Sequence, residues 1–189
     1  AGYSTQSEIP RAGVILGNLS YPTRALSDFA LEVWQHGTAS KTLAYNRYMS
    51  GLPAQIVANA LGARGEAFCL DAACASSLYA IKLASEKLQD NQADVMLVGG
   101  VNHADDLFLH IGFCALKAMS RTGQSRPFHS GADGLVPAEG AGFVVLKRLE
   151  DAIRDGNSIL GVIRGVGLSN DGRGRGMLTP SQDGQYRAM

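Results

Sequence analysis

Short runs of consecutive apolar residues, most of them bounded by glycine or a charged residue, alternate along this chain with longer stretches whose apolar positions recur every three or four residues. The first pattern predicts buried strands and the second helices. Val14-Ile15-Leu16-Gly17 opens the series as a strand. Leu43 to Met49 and Pro53 to Leu61 read as helices, the second with proline in its first turn and Gly62 at its end. A short strand closes on Cys69-Leu70-Asp71. Ala75 to Gln89 follows as a helix, with Leu78, Ile81, Ser85 and Leu88 along one stripe and Ala80, Leu83 and Ala84 beside it. Asp94 to Val101 is nearly all apolar, the pattern of a strand covered on both faces. Leu107 to Ala118 is predicted helical, Phe143 to Leu146 another buried strand, Leu149 to Arg154 a short helix and Ile159 to Val166 a last strand. Strands interleaved with helices predict α/β layering, and no repeat or linker divides it.

Composition narrows the function classes. With 189 residues, 46% hydrophobic and 18% charged, the chain can bury a real core, which excludes disorder as a description of the whole. Seventeen basic side chains balance seventeen acidic ones, so no global field draws it to nucleic acid or anionic lipid. No apolar stretch reaches the roughly 18–20 residues of a membrane helix. The start, Ala1-Gly2-Tyr3-Ser4, has neither a basic nor an apolar leader region, and the expectation is a cytoplasmic protein. Three cysteines, Cys69, Cys74 and Cys114, are too few for a disulfide scaffold and lack CxxC metal spacing.

The chemistry concentrates in Leu70-Asp71-Ala72-Ala73-Cys74-Ala75-Ser76-Ser77-Leu78, where a strand gives way to a helix through small residues. Cys74 then falls at or just before a helix N-terminus. Unpaired backbone N–H groups and the positive end of the helix dipole would stabilise a thiolate there, and the same N–H groups can bind an oxyanion formed at an acyl carbonyl. Ala72, Ala73 and Ala75 leave room for an acyl chain. The alternative is that Cys74 is a small core residue, and spacing alone leaves both open.

Asp71 to Leu78 resembles the active-site signature of the β-ketoacyl synthases, the condensing domains of fatty acid and polyketide synthases. Three later blocks are similar in order and spacing: Asp94 to Val101; Arg126-Pro127-Phe128 through Ala132-Asp133-Gly134 to Glu139-Gly140-Ala141-Gly142; and Ser169-Asn170-Asp171-Gly172. Leu107 to Leu116 and Gly172 to Gly176 look most like multidomain synthases of the polyunsaturated fatty acid or glycolipid kind. The resemblance implies a thiolase-like fold, layered α-β-α-β-α, of which residues 1–189 would be the N-terminal half of a ketosynthase domain, trimmed at both ends.

It also implies roles. Cys74 matches the nucleophile that takes an acyl group from the phosphopantetheine arm of an acyl carrier protein, before a decarboxylated malonyl unit attacks the thioester. No cofactor would be bound directly. Phe113 matches an aromatic position at the acyl pocket and Leu109 could join it, with core packing the alternative for both. Thr179 would lie along the pantetheine path. Glu139 matches a buried carboxylate in the "GEG" loop, a structural brace rather than a proton carrier. Expected partners are the carrier protein, the C-terminal half of the domain and a second copy in a homodimer.

Two departures qualify the resemblance. The family's "HGTGT" and "GH" histidine motifs are absent, and His36, His103, His110 and His129 sit in other contexts. His129 stands where the family has Asp after Pro-Phe, so that carboxylate's hydrogen bond must be lost or replaced. A non-catalytic chain-length or scaffold partner is the rival reading, and the intact Cys74 argues against it. The glycine-rich Gly172-Arg173-Gly174-Arg175-Gly176 lacks the context of a phosphate loop, and no GxSxG elbow points to a hydrolase.

Overall fold

The computed structural model describes residues 8–19, 24–37, 50–103, 107–174, 176 and 179–189. In chain order the elements are β1 (Ala12–Gly17), α1 (Arg24–His36), α2 (Leu52–Leu61), β2 (Ala67–Leu70), α3 (Ser76–Gln89), β3 (Val95–Asn102), α4 (Leu107–Ala115), β4 (Gly140–Leu146), α5 (Leu149–Arg154) and α6 (Gln182–Ala188). The strands form one sheet in the order β2-β1-β3-β4. β1 is parallel to both neighbours, with Val14 opposite Ala67 and Leu97, and β4 returns antiparallel to β3, with Val98 opposite Val144.

Strand alternation sorts the core into two faces. Ile15, Met96 and Val98 pack with Ala80, Ala84 and Leu88 of α3. Val14 and Leu16 pack with Ala54 and Ala58 of α2. The sheet is therefore covered by α3 on one side and α2 on the other, which is why all six residues of β1 are buried. Alanines at the helix contacts let both helices approach closely. α2 ends where the sequence places it, on Gly62 in the left-handed conformation at φ +67°, with its N–H turned back to the last carbonyls.

The predicted Leu43–Met49 helix lies outside the described residues. The predicted helix to Ala118 stops at Ala115, in a turn that holds Lys117 at φ +55°. Two strand expectations are corrected. β4 is longer than predicted but exposed: Phe143, Val144 and Val145 lie on a strand with no described helix over it. Ile159–Val166 forms no strand, and Leu160 is fully exposed, because an apolar run becomes a strand only where a neighbouring backbone pairs with it. α1 and α6 were not anticipated from the sequence.

Arg148 fastens the far end of this unit. Its guanidinium donates to the carbonyls of Leu88 (3.0 Å) and Ala93 (2.6 Å), to Asp94 and to Asp151. A cation on the Leu88 carbonyl, in the last turn of α3, also suits the helix dipole. The hydrogen bonds from Arg148 and then Arg11 hold the Asp94 carboxyl below the usual aspartate range. At Asp151 burial pushes upward, but the guanidiniums of Arg148 and Arg154 together outweigh it. A depressed folded-state value means stability that is complete above the unfolded value of about 3.9 and is lost as pH falls below it. The thermal midpoint is accordingly expected to be level from about pH 7 to 5 and to drop below about pH 4. Arg148→Met should lower the midpoint at neutral pH and flatten the acid limb; an equally steep limb in the variant would refute the assignment.

Candidate active site

β2 ends at Leu70, level with Gly17 at the carboxyl end of the parallel strands, the edge where open α/β sheets place their ligands. From there the chain turns directly into α3. Asp71 Oδ1 accepts the Ala73 N–H at 2.9 Å, an Asx turn. Ala73 is held at φ +51°, a left-handed conformation uncommon for a residue with a Cβ. Ala75 N–H donates to the Ala72 carbonyl and Ser76 N–H to the Ala73 carbonyl, both at 3.2 Å, which starts the helix. Cys74 stands exposed on this turn, immediately before the helix N-cap at Ala75. It is not the core residue that the alternative reading required.

The turn is seated by close backbone approach. A Cβ on Gly17 would lie 2.7 Å from Ser76 Cβ and 2.8 Å from Ser77 N, so only glycine lets the start of α3 rest on the end of β1. Ser77 also lies over Gly100 of β3. The N-terminal N–H groups and positive dipole end of α3 thus face the edge where Cys74 is displayed. The other thiols differ. Cys69 is half-buried on β2 among the residues packed with α2, and burial pushes its thiol up, against a smaller opposing hydrogen bond with the Ala54 backbone. Cys114 is exposed on α4.

The remaining candidates lie on other elements and loops. Phe113 and Leu109 are half-buried on α4, one turn apart. Thr179 is exposed in the loop before α6, its N–H bonded to the Gly176 carbonyl at 3.2 Å. Glu139 is not buried as the resemblance implied. It is a surface residue in the loop entering β4, where no described element covers it, and His103 Nδ1 lies 2.7 Å from its carboxylate. With the Asn102 side chain donating to the Ala138 carbonyl, this contact links the end of β3 to that loop.

His129, where the resemblance placed an aspartate, has its Nδ1 accepting the Gly131 N–H at 2.9 Å. Two organising residues were missed from the sequence. Asp133 gathers the Ser120 hydroxyl (2.6 Å) and the N–H groups of Arg121 and Thr122 (3.0 Å each), and the Ser120 bond leads in holding its carboxyl low. Ser76 ties the Cys74 turn. The Asp71-to-Ser76 spacing around small residues was the available signal for Ser76, whereas nothing in the sequence pairs Asp133 with residues a dozen positions upstream.

Among the described residues no cluster of three or more His, Cys, Asp or Glu could hold a metal, and no helix is long and apolar enough to cross a membrane. A small cleft lined by Gly13, Gly65, Lys87 and Met96 lies at the opposite end of β1 from Cys74.

Comparison with known proteins agrees with this arrangement. The chain is 38% identical to a PKS-NRPS hybrid synthetase of Aspergillus niger over 100% of its own length and 10% of the synthetase. It is 37% identical to a polyunsaturated fatty acid synthase polypeptide of Thraustochytrium over 87% of the chain and 9% of that polypeptide. The chain therefore spans about a tenth of the length of these curated relatives. Among solved structures, a ketosynthase from module 6 of the bacillaene synthase of Bacillus subtilis superposes at TM-score 0.78 with 32% identity, covering 100% of this chain and 31% of that one. A PfaC keto synthase-chain length factor superposes at TM-score 0.78 with 39% identity, covering 95% and 22%. The family model for the β-ketoacyl synthase N-terminal domain matches residues 1–152, and with the thiolase-like arrangement of sheet and helices around Cys74 it shows that the chain belongs to the β-ketoacyl synthase family.

Proposed function

We propose that this chain is the nucleophile-bearing, N-terminal part of a condensing domain, and that Cys74 accepts the acyl group that the domain extends. The observation that carries this reading is the exposure of Cys74 on a strained strand-to-helix turn at the carboxyl edge of the sheet. There the thiolate attacks the carbonyl carbon of an acyl thioester, and the Cys74 backbone N–H, on the turn that leads into α3, donates to the oxyanion. The acyl group arrives on the phosphopantetheine arm of an acyl carrier protein. Condensation follows when a decarboxylated malonyl unit attacks the Cys74 thioester, lengthening the chain by two carbons. The family's two histidine motifs are not in this sequence, so acyl transfer to Cys74 is the half-reaction its own residues support.

The same reading assigns partners. The exposed faces of β4 and of 159–163 suit the C-terminal half of the domain, since apolar surface of this kind is the mark of a covered interface. Among the described residues β2 is the edge strand of the sheet, and that edge suits a second copy in a homodimer. All of this would take place in the cytoplasm. Peptide mapping after incubation with an acylated carrier protein tests the central claim. The acyl mass is expected on the peptide that contains Cys74; acylation confined to Cys114, or none in a full-length domain that folds, would refute it.

A further inference from the structure

Two serines of α3 use their hydroxyls differently. Ser85 donates to the Ile81 carbonyl at 2.8 Å, an ordinary back-bond within a helix. Ser76 is buried, and its hydroxyl bridges two peptide groups of the preceding turn. It accepts the Ala72 N–H at 2.9 Å and donates to the Ala73 carbonyl at 2.6 Å. The Ser76 N–H reaches that same carbonyl at 3.2 Å. The Ala73 carbonyl is thus held toward the start of α3 by two donors, with Ala73 kept in its left-handed conformation by the Asp71 carboxylate on its other side. The Ala73–Cys74 peptide is trans, so its N–H points opposite to its carbonyl. Fixing the carbonyl of Ala73 therefore fixes the direction of the Cys74 N–H, away from Ser76.

We propose that Ser76 is a positioning residue for acyl transfer, its buried hydroxyl locking the Ala73–Cys74 peptide so that the Cys74 N–H is aimed at the oxyanion. The inference rests on Cys74 being the acyl acceptor. In the step concerned, the Cys74 sulfur forms a bond to the thioester carbonyl carbon and the carbonyl π electrons move onto oxygen. Collapse of that oxyanion expels the donor's sulfur as a thiolate, which takes a proton from water. Alkylation of the same thiol by iodoacetamide forms its bond at a saturated carbon and expels iodide, without any oxyanion. A residue that acts through the Cys74 N–H must affect the first reaction and spare the second.

The test compares both rates in the full-length polypeptide that carries this sequence, using an acyl N-acetylcysteamine thioester as the acyl donor. Ser76→Ala is expected to slow acyl loading of Cys74 roughly 10- to 100-fold, less than the roughly 10²- to 10³-fold of deleting an oxyanion donor outright. Alkylation of Cys74 should stay at the parental rate. Ser76→Thr should restore acyl loading, because a threonine hydroxyl in a helix can reach the carbonyl three residues back. Unchanged acyl loading in Ser76→Ala, an equal fall in both rates, or a threonine variant as slow as alanine would each overturn the proposal. Acyl loading that survives Cys74→Ala would instead refute the nucleophile itself, so the two failures are distinguishable.

Discussion

Cys74→Ala is expected to eliminate acyl loading, a fall of at least about 10³-fold, while Cys114→Ala leaves it at the parental level. The contrast follows from where the three thiols sit. Cys69 lies half-buried on β2, and burial pushes its thiol up, which reduces the thiolate available at neutral pH. Cys114 is exposed, but it belongs to the last turn of α4, where carbonyl groups rather than N–H groups are left over. Only Cys74 combines access with a helix N-terminus immediately downstream. Because its side chain is exposed, its removal should change stability by no more than about 0.5 kcal/mol, so lost loading can be read as lost chemistry. Intact-mass measurement after treatment with an acyl thioester decides the matter, and an acyl adduct that follows Cys114 rather than Cys74 would reverse the assignment.

Gly99→Ala should damage the fold more than any conservative change in the hydrophobic core. A Cβ at Gly99 would sit 1.8 Å from the Gly142 carbonyl oxygen and 2.9 Å from Phe143 Cα, all rigid backbone of β4. No rotamer can relieve that overlap; β3 and β4 must separate. The cost should exceed the ~1–3 kcal/mol of ordinary overpacking, a large part of the roughly 5–15 kcal/mol that holds a domain together. Gly142, on the partner strand, provides the control, because a Cβ there meets open space. Denaturant melts should show Gly142→Ala close to the parent and Gly99→Ala strongly destabilised or insoluble. A parental midpoint for Gly99→Ala would mean that the two strands do not approach as described.

What the sequence disclosed, and what it hid, divides along a physical line. The strand–turn–helix around Cys74 was legible because its signals are local: a short apolar run, small residues, then a helical stripe. The ends of α2 and α3 were legible for the same reason. The burial of Phe143 to Val145 was not, since an apolar run states only that a strand can be covered, and covering comes from elsewhere. Ile159–Val166 failed as a strand on the same ground. Glu139 came with a motif, and a motif carries residue type without environment; the structure pairs it with His103 at the surface. α1 escaped notice because its apolar residues do not report a core contact, as the exposed Trp34 shows.

The central place of β1 has a consequence for synthesis on the ribosome. Its two partners come late: Val14 meets Ala67, 53 residues on, and Ala12 meets Val95, 83 residues on. At roughly 5–20 residues per second, the second side of β1 waits roughly 4–17 s for its neighbour. During that interval Ala12–Gly17, six residues without charge or proline, is a hydrophobic strand with at least one edge unpaired. The segment that ends as a fully buried strand inside the sheet is therefore, earlier in the life of the same molecule, a sticky edge that a chaperone would have to shield.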